Sequence, residues 1–136
     1  MRNIHPVVIE RHRGILLIPA PMTEIYLNPI ERTLYRLFLR HPGGILSDQL
    51  LTYWQELCSI YAEESCYDDK SLRDNAIESL CAESKSVFYT NISRIKKKFV
   101  EALGRRKASP YIIQRGKDGL YRTRAHLNAL PPSTTT

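Results

Sequence analysis

The 136-residue sequence contains no apolar run approaching the roughly 18 residues that cross a bilayer. Residues 1–6 also lack the apolar segment of a secretory signal peptide. We therefore expect neither membrane insertion nor secretion. Only three cysteines are present, Cys58, Cys66 and Cys81, and none stands in a close pair. This spacing argues against a zinc ribbon or redox motif, and it favours a cytoplasmic protein whose cysteines serve as small apolar residues.

Catalytic signatures are also missing from the sequence. The four histidines are scattered and form no HExxH motif or close His/Cys/Asp group. Neither a GxxxxGK[ST] nor a GxGxxG loop occurs, and the glycines at 43–44 and 116–119 are explained by turns. The sequence predicts no metal, no cofactor and no enzymatic activity.

Charge is segregated along the chain, although the net charge is only +6. Residues 1–47 carry six bases and three acids, residues 48–83 carry two bases and nine acids, and residues 84–124 carry twelve bases and two acids. The basic surplus of the last block favours a polyanionic partner. We expect the acidic block to face away from a phosphate backbone, and its segment 67–82 to be dispensable for binding.

The pattern of the first 40 residues predicts strands followed by a helix. Apolar segments at 6–10, 15–18 and 24–27, separated by turn residues, predict an antiparallel β meander within residues 1–28. Asn28-Pro29 is typical of a helix start, and a helix is predicted over 29–40, ending before His41-Pro-Gly-Gly44.

Two further helices and a hairpin are predicted in the rest of the chain. The second helix covers 47–62 with Ser47 as its N-cap and an apolar stripe that includes Leu51. Residues 63–83 are interpreted as an acidic insertion, with a turn at 67–70 and a short amphipathic helix over 71–81 as one option. That option uses Leu72, Ala76, Ile77 and Leu80 as its apolar face.

A third helix is predicted over 84–103, because Phe88, Ile92, Ile95, Phe99 and Leu103 form one apolar stripe before Gly104. Residues 111–115 and 120–124 flank turn residues at 116–119, which predicts a β-hairpin over 111–123. Residues 125–136 are assigned to a C-terminal tail, disordered from Pro131 onward.

The face opposite the stripe of the third helix carries hydroxyl and basic side chains and no carboxylate. This mixture suits a helix in the major groove of DNA, and the basic hairpin adds a second element that can grip the same duplex. The alternative explanations are lysines that offset the helix dipole and hairpin charges that protect an edge strand. The residues assigned to DNA binding are Ser86, Thr90, Ser93, Arg94, Lys97 and Lys98 in the helix and Arg115, Lys117 and Arg122 in the hairpin.

Three segments resemble the DNA-binding effector domain of OmpR/PhoB-type response regulators. Leu27 to Gly44 is similar to that family's strand-to-helix entry with its helix-ending His-Pro-Gly. Asn91 to Phe99 is similar to its recognition helix, and Tyr111 to Arg122 is similar to its wing. The resemblance covers about residues 7–124 and implies a bacterial transcription regulator with a winged helix-turn-helix core over 29–124, here without a receiver domain.

The resemblance also implies roles for individual residues. It places Asn91 and Arg94 on the groove-facing side, Lys97 toward phosphate, and Arg115 or Lys117 near the minor groove. One departure is Ser86, which stands where the family tends to place arginine.

The predicted partners are double-stranded DNA and, through residues 63–83, RNA polymerase or another protein. The oligomeric state stays open, and a dimer on DNA is one option. The alternative function is a winged-helix protein-interaction module that uses the acidic segment 63–83. A third reading, RNA binding through the same basic face, lacks an aromatic motif for stacking single-stranded bases.

Overall fold

The structure is a computed structural model that describes residues 5–10, 15–19, 22–65 and 70–127. Within these ranges the chain has a mixed α+β fold, as the sequence predicts. No helix in these ranges is both long enough and apolar enough to cross a bilayer. Of the predicted turn at 67–70, only Lys70 is described, and it is helical. The predicted disorder from Pro131 onward lies outside the described residues.

The N-terminal strands belong to a four-stranded mixed sheet. Strands β1 (Pro6–Glu10), β2 (Ile15–Pro19) and β3 (Met22–Tyr26) pair antiparallel in chain order. A strand from the other end of the chain, His126–Leu127, pairs in parallel with β1, so the sheet order is β3-β2-β1 and then this strand. The three predicted strands therefore do not form a separate meander, because they belong to a mixed sheet that also contains His126–Leu127. The assignment of 125–136 to a tail is wrong at His126–Leu127, because these residues extend the open edge of β1.

Helix α1 (Pro29–Arg40) has the predicted bounds. Its start is a capping box, in which the Asn28 side chain accepts from the Glu31 N–H at 2.9 Å and the Glu31 carboxylate accepts from the Asn28 N–H at 2.9 Å. Leu34 and Phe38 are fully buried on its inner face. This helix lies at the centre of the core.

The second predicted helix is split into two kinds of helix. After the short strand β4 (Ile45–Leu46), a 3-10 helix covers Ser47–Tyr53, and α2 covers Trp54–Glu64. Leu46 occupies the N-cap position, and no side chain caps the helix start. The assignment of Ser47 as N-cap is therefore wrong. A 3-10 helix has three residues per turn, which shifts the apolar stripe and leaves Leu51 63% exposed.

The acidic insertion forms a helix that packs on the core. Helix α3 (Lys70–Cys81) contacts both α2 and the long helix α4 (Ser86–Leu103). Its Ile77 and Leu80 are fully buried, whereas Leu72 is 56% exposed. Deletion of 67–82 would remove these side chains from the core, so we expect it to destabilise the fold, while the prediction that the segment is dispensable for DNA binding stays a prediction.

Helix α4 begins two residues later than predicted, because Lys85 before it adopts a left-handed conformation with φ of 61°. It ends at Gly104, whose positive φ of 82° suits glycine and whose N–H donates to the Val100 carbonyl at 2.7 Å. The short helix α5 (Arg105–Ala108) then follows, which the sequence did not predict.

The predicted hairpin is present with shorter strands. Strand β5 (Gln114–Arg115) pairs antiparallel with β6 (Leu120–Arg122), and β6 also pairs with β4. The segment 111–113 is not a strand, although three consecutive apolar residues favour one. Its side chains are buried in the core instead. The strand His126–Leu127 is β7.

Candidate nucleic-acid interface

The inner face of α4 is fixed by aromatic packing. Phe88, Ile95 and Phe99 are fully buried. The Phe99 ring lies 5.3 Å from that of Tyr35 on α1, and it stacks on Tyr111 with centroids 6.0 Å apart and planes inclined by 7°. Such contacts set the rotation of the helix about its axis and therefore decide which side chains point outward.

The outward face of α4 carries the side chains that the sequence predicted. Ser86, Thr90, Ser93, Arg94 and Lys97 are all exposed. No acidic residue occurs in this part of the helix. Short hydroxyl side chains allow close approach to a surface, and the two cations supply hydrogen-bond donors. The structure thus confirms the predicted orientation of these five residues.

The hairpin is held beside the first half of α4 by a cluster of aromatic rings. Tyr121 on β6 meets Phe88 edge to face, with centroids 5.2 Å apart and planes at 87°. The ring of Tyr89 lies 6.4 Å from that of Tyr121. Burial raises the pKa of the Tyr121 phenol above its ordinary value, which further favours the neutral form. Arg115 and Lys117 are exposed on this hairpin, as predicted.

Arg122 braces the hairpin against the loop that follows α1. Its guanidinium donates to Asp118 at 2.7 Å and to the Gly43 carbonyl at 3.2 Å. The hydrogen bond from Arg122 is the main reason why the pKa of Asp118 lies below its ordinary value. The loop and the hairpin also approach closely at Gly44, which has a φ of +103°, because a Cβ atom there would stand 2.9 Å from the Leu120 Cβ. Arg122 thus has structural partners within the fold, which its assignment to DNA binding did not include.

A cleft of about 780 Å³ separates α4 from the segment that leads into the hairpin. Its lining combines apolar side chains such as Ile92, Val100 and Ile112 with basic ones, and it contains no carboxylate. None of its basic residues forms an ion pair within the part of the chain that the structure describes. These basic residues are Lys96, Lys97, Arg105 and Arg115.

The placement of Asn91 on the groove-facing side is wrong. Its side chain is buried, with 4% of the residue exposed, and its amide donates to the Val87 carbonyl at 2.9 Å. Asn91 lies three residues after Phe88 and four before Ile95, so helical periodicity puts it on the core side. The periodicity of the apolar stripe already indicated a core-facing Asn91, but the residue was placed outward from the family resemblance.

Lys98 is held by a buried carboxylate. Its Nζ atom lies 2.5 Å from Oε1 of Glu31, whose side chain is 1% exposed, whereas Lys98 itself is 35% exposed. Lys98 therefore points toward the start of α1, and its assignment to DNA binding did not anticipate this partner.

Sequence reasoning missed Lys96 and Arg105 as members of the basic cleft. Lys96 lies three residues after Ser93 and four before Val100, so the three share a second face of α4 that turns toward the hairpin. Arg105 reaches the cleft because the chain bends at Gly104 into α5. The glycine was a signal for the end of α4, but the direction of the following turn has no local signature.

The acidic block forms ion pairs with arginines of α1. Glu64, whose side chain is 1% exposed, lies 2.6 Å from Nε of Arg32 and 2.9 Å from Nη1 of Arg36. Glu63 contacts Arg36 at 2.8 Å, and Glu56 contacts Arg40 at 3.2 Å. Part of the acidic surplus is therefore neutralised by bases of α1.

Comparisons of the chain with models of known protein families, with curated proteins and with solved structures found no match. The resemblance to OmpR/PhoB-type effector domains therefore depends on the three sequence segments described above. Among the residues that the structure describes, no group of three His, Cys, Asp or Glu side chains could hold a metal ion.

Proposed function

We propose that this protein is a winged helix-turn-helix regulator of transcription that binds double-stranded DNA. In this proposal α4 enters the major groove, and the β5–β6 hairpin is the wing that contacts the backbone and the minor groove. The observation that carries the proposal is the basic cleft between α4 and the hairpin, which is lined by four cations without a carboxylate.

Charge and shape both support a nucleic acid as the partner. Cations that have no ion pair within the described chain can neutralise phosphates and release counterions, which is the main source of nonspecific affinity for DNA. An exposed helix whose outer face carries short hydroxyl side chains between its cations can approach base edges closely. The hairpin beside it offers Arg115 and Lys117 to the same duplex.

Individual residues take different roles in this arrangement. Arg94 can donate two hydrogen bonds to one guanine and so contribute to sequence recognition. Lys97, Arg115 and Lys117 can contact phosphates, which fixes the position of the protein without reading sequence. Ser86, Thr90 and Ser93 line the approach between these cations.

A titration of duplex DNA at several salt concentrations tests the proposal. We expect the logarithm of the binding constant to fall linearly with the logarithm of salt concentration, and Lys97→Ala or Arg115→Ala to reduce that slope by about 0.9 each. Lys70→Ala is the matched control, because it removes the same charge from an exposed position on α3. A slope that responds equally to Lys70→Ala and Lys97→Ala would contradict the proposed surface.

The alternative function, a protein-interaction module that uses 63–83, has one observation in its favour. A groove of about 420 Å³ lies between α2 and α3 and is lined by residues that include Trp54, Cys58 and Arg73. Against it, α3 already directs Ile77 and Leu80 into the core of the same chain. Absence of duplex binding at low salt, with a folded protein, would favour this alternative.

A further inference from the structure

A buried carboxylate at the start of α1 faces the basic run of α4. Glu31 is fully buried, and one of its oxygens, Oε1, accepts from both the Asn28 N–H and the Lys98 ammonium group. The other oxygen, Oε2, is buried and has no hydrogen-bond partner among the described residues. Lys98 also forms the only ion pair to Glu31 in the described part of the chain.

Such a carboxylate depends strongly on its cation. A buried charge is costly unless it is paired and hydrogen-bonded, so the fold favours conformations in which Lys98 stays on Glu31. Because Glu31 is anchored in the capping box of α1, the pair ties the second half of α4 to a fixed point of the core. The neighbouring lysines at 96 and 97 are exposed and have no such partner within the described residues.

We propose that Lys98 is a positioning residue rather than a phosphate contact, and that the Glu31–Lys98 ion pair holds α4 in the orientation that reads DNA. This inference rests on the proposed function for the role of α4, whereas the ion pair itself concerns the protein without DNA. Of the three consecutive lysines, Lys96 and Lys97 are then available to DNA, and Lys98 stabilises the fold.

Two variants separate the pair from a phosphate contact. Glu31→Gln keeps the capping box, in which Gln serves as well as Glu, and removes only the charge that binds Lys98. Lys98→Met keeps an unbranched apolar stem and removes the ammonium group. Lys96→Met is the matched control, because it makes the same chemical change at an exposed lysine of the same run.

The two interpretations of Lys98 predict opposite effects of Glu31→Gln. The duplex is one that the wild-type protein selects from a randomised pool. If Lys98 positions α4, Glu31→Gln and Lys98→Met both weaken binding to it by about ten-fold, which is the cost of one displaced base contact. The salt slope then stays unchanged in both, whereas Lys96→Met lowers it by about 0.9. If Lys98 instead contacts phosphate, Glu31→Gln frees the ammonium group and strengthens binding.

The experiment measures duplex affinity against salt, together with amide hydrogen exchange of α4 in the full-length protein without DNA. We expect faster exchange in the second half of α4 for Glu31→Gln and Lys98→Met, wild-type exchange for Lys96→Met, and recovery with Lys98→Arg, which keeps a cation at this position. Stronger binding in Glu31→Gln, a lower salt slope in Lys98→Met, or unchanged exchange in both would overturn the proposal. If the wild-type protein binds no duplex, the proposed function fails, and the exchange of α4 alone decides whether the pair orders the helix.

Discussion

The acidic block 48–83, with nine acids and two bases, and the basic block 84–124, with twelve bases and two acids, use their charges differently. Glu56, Glu63 and Glu64 contact arginines of α1, so a share of the acidic charge stabilises contacts between helices. Most cations of the basic block, including Lys96 and Lys97, have no ion pair within the described residues. A count of charges along a chain therefore does not show which charges are available to a partner.

The largest expected effect lies on the acidic side of this comparison, at Glu64. Glu64→Gln removes the charge of a buried carboxylate that lies 2.6 Å from Nε of Arg32 and 2.9 Å from Nη1 of Arg36. We expect the free energy of unfolding to fall by about 3–5 kcal/mol in urea denaturation. Glu78→Gln on the exposed face of α3 is the control and should change it by less than about 0.5 kcal/mol. Equal effects of the two variants would mean that Glu64 behaves as a surface charge.

A second prediction concerns whether α3 belongs to the core. Leu80→Ala removes a fully buried side chain, and we expect a loss of about 2–4 kcal/mol in the free energy of unfolding. Leu72→Ala makes the same change at a residue that is 56% exposed and should cost much less. Thermal or urea unfolding of both variants measures the difference. A small loss in Leu80→Ala would show that α3 contributes little packing and would restore the idea of a dispensable segment.

The third prediction concerns the basic residues of α4, where one substitution should change sequence specificity and another should change only the affinity for DNA. Arg94→Ala should weaken binding to a selected duplex by about 1–3 kcal/mol and relax the preference at one base pair, if Arg94 reads a guanine. Lys97→Ala should weaken binding to all duplexes alike. Selection from a randomised DNA pool with each variant distinguishes the two outcomes. Equal small losses at both positions on every duplex would reduce the interface to nonspecific charge.

The smallest expected effect is at the turn of the hairpin. The hydrogen bond from Arg122 holds the pKa of Asp118 below its ordinary value of 3.8, so the ionised carboxylate is favoured in the fold. A depressed pKa contributes stability above the ordinary pKa, and this contribution disappears as pH falls through the lower, folded value. An NMR titration of the Asp118 carboxyl group measures it. Arg122→Gln should raise the titration midpoint of Asp118, and Lys117→Gln should raise it less. A larger rise in Lys117→Gln than in Arg122→Gln would exclude Arg122 as the cause.

Local signals predicted the elements that depend on neighbouring residues. Asn28-Pro29 and Gly104 predicted the start of α1 and the end of α4, because caps and breaks are encoded within a few residues. The apolar stripe of α4 also predicted which of its side chains face outward. These are the parts of the candidate interface that sequence patterns could supply.

Tertiary partners decided the remaining features, and the sequence carried no local sign of them. The pairing of Lys98 with Glu31 joins residues 67 positions apart, and the pairing of β7 with β1 joins the two ends of the chain. The segment 111–113 was predicted as a strand because apolar runs favour one, but core packing against Phe99 takes precedence. The 3-10 helix over Ser47–Tyr53 follows directly after Ile45–Leu46, which pair with β6, and the apolar stripe of residues 47–62 indicated neither feature.

We expect DNA to bind the exposed basic residues of α4 and of the β5–β6 hairpin, with α4 in the major groove and the hairpin on the backbone. An NMR titration of the ¹⁵N-labelled full-length protein with a short DNA duplex tests it most directly, because backbone amide shifts map the contacted surface. We predict that the largest shifts occur in residues 86–97 and 114–117, and that α3 amides change little. Shifts concentrated in α2 and α3, or no saturable shifts at low salt, would contradict the claim.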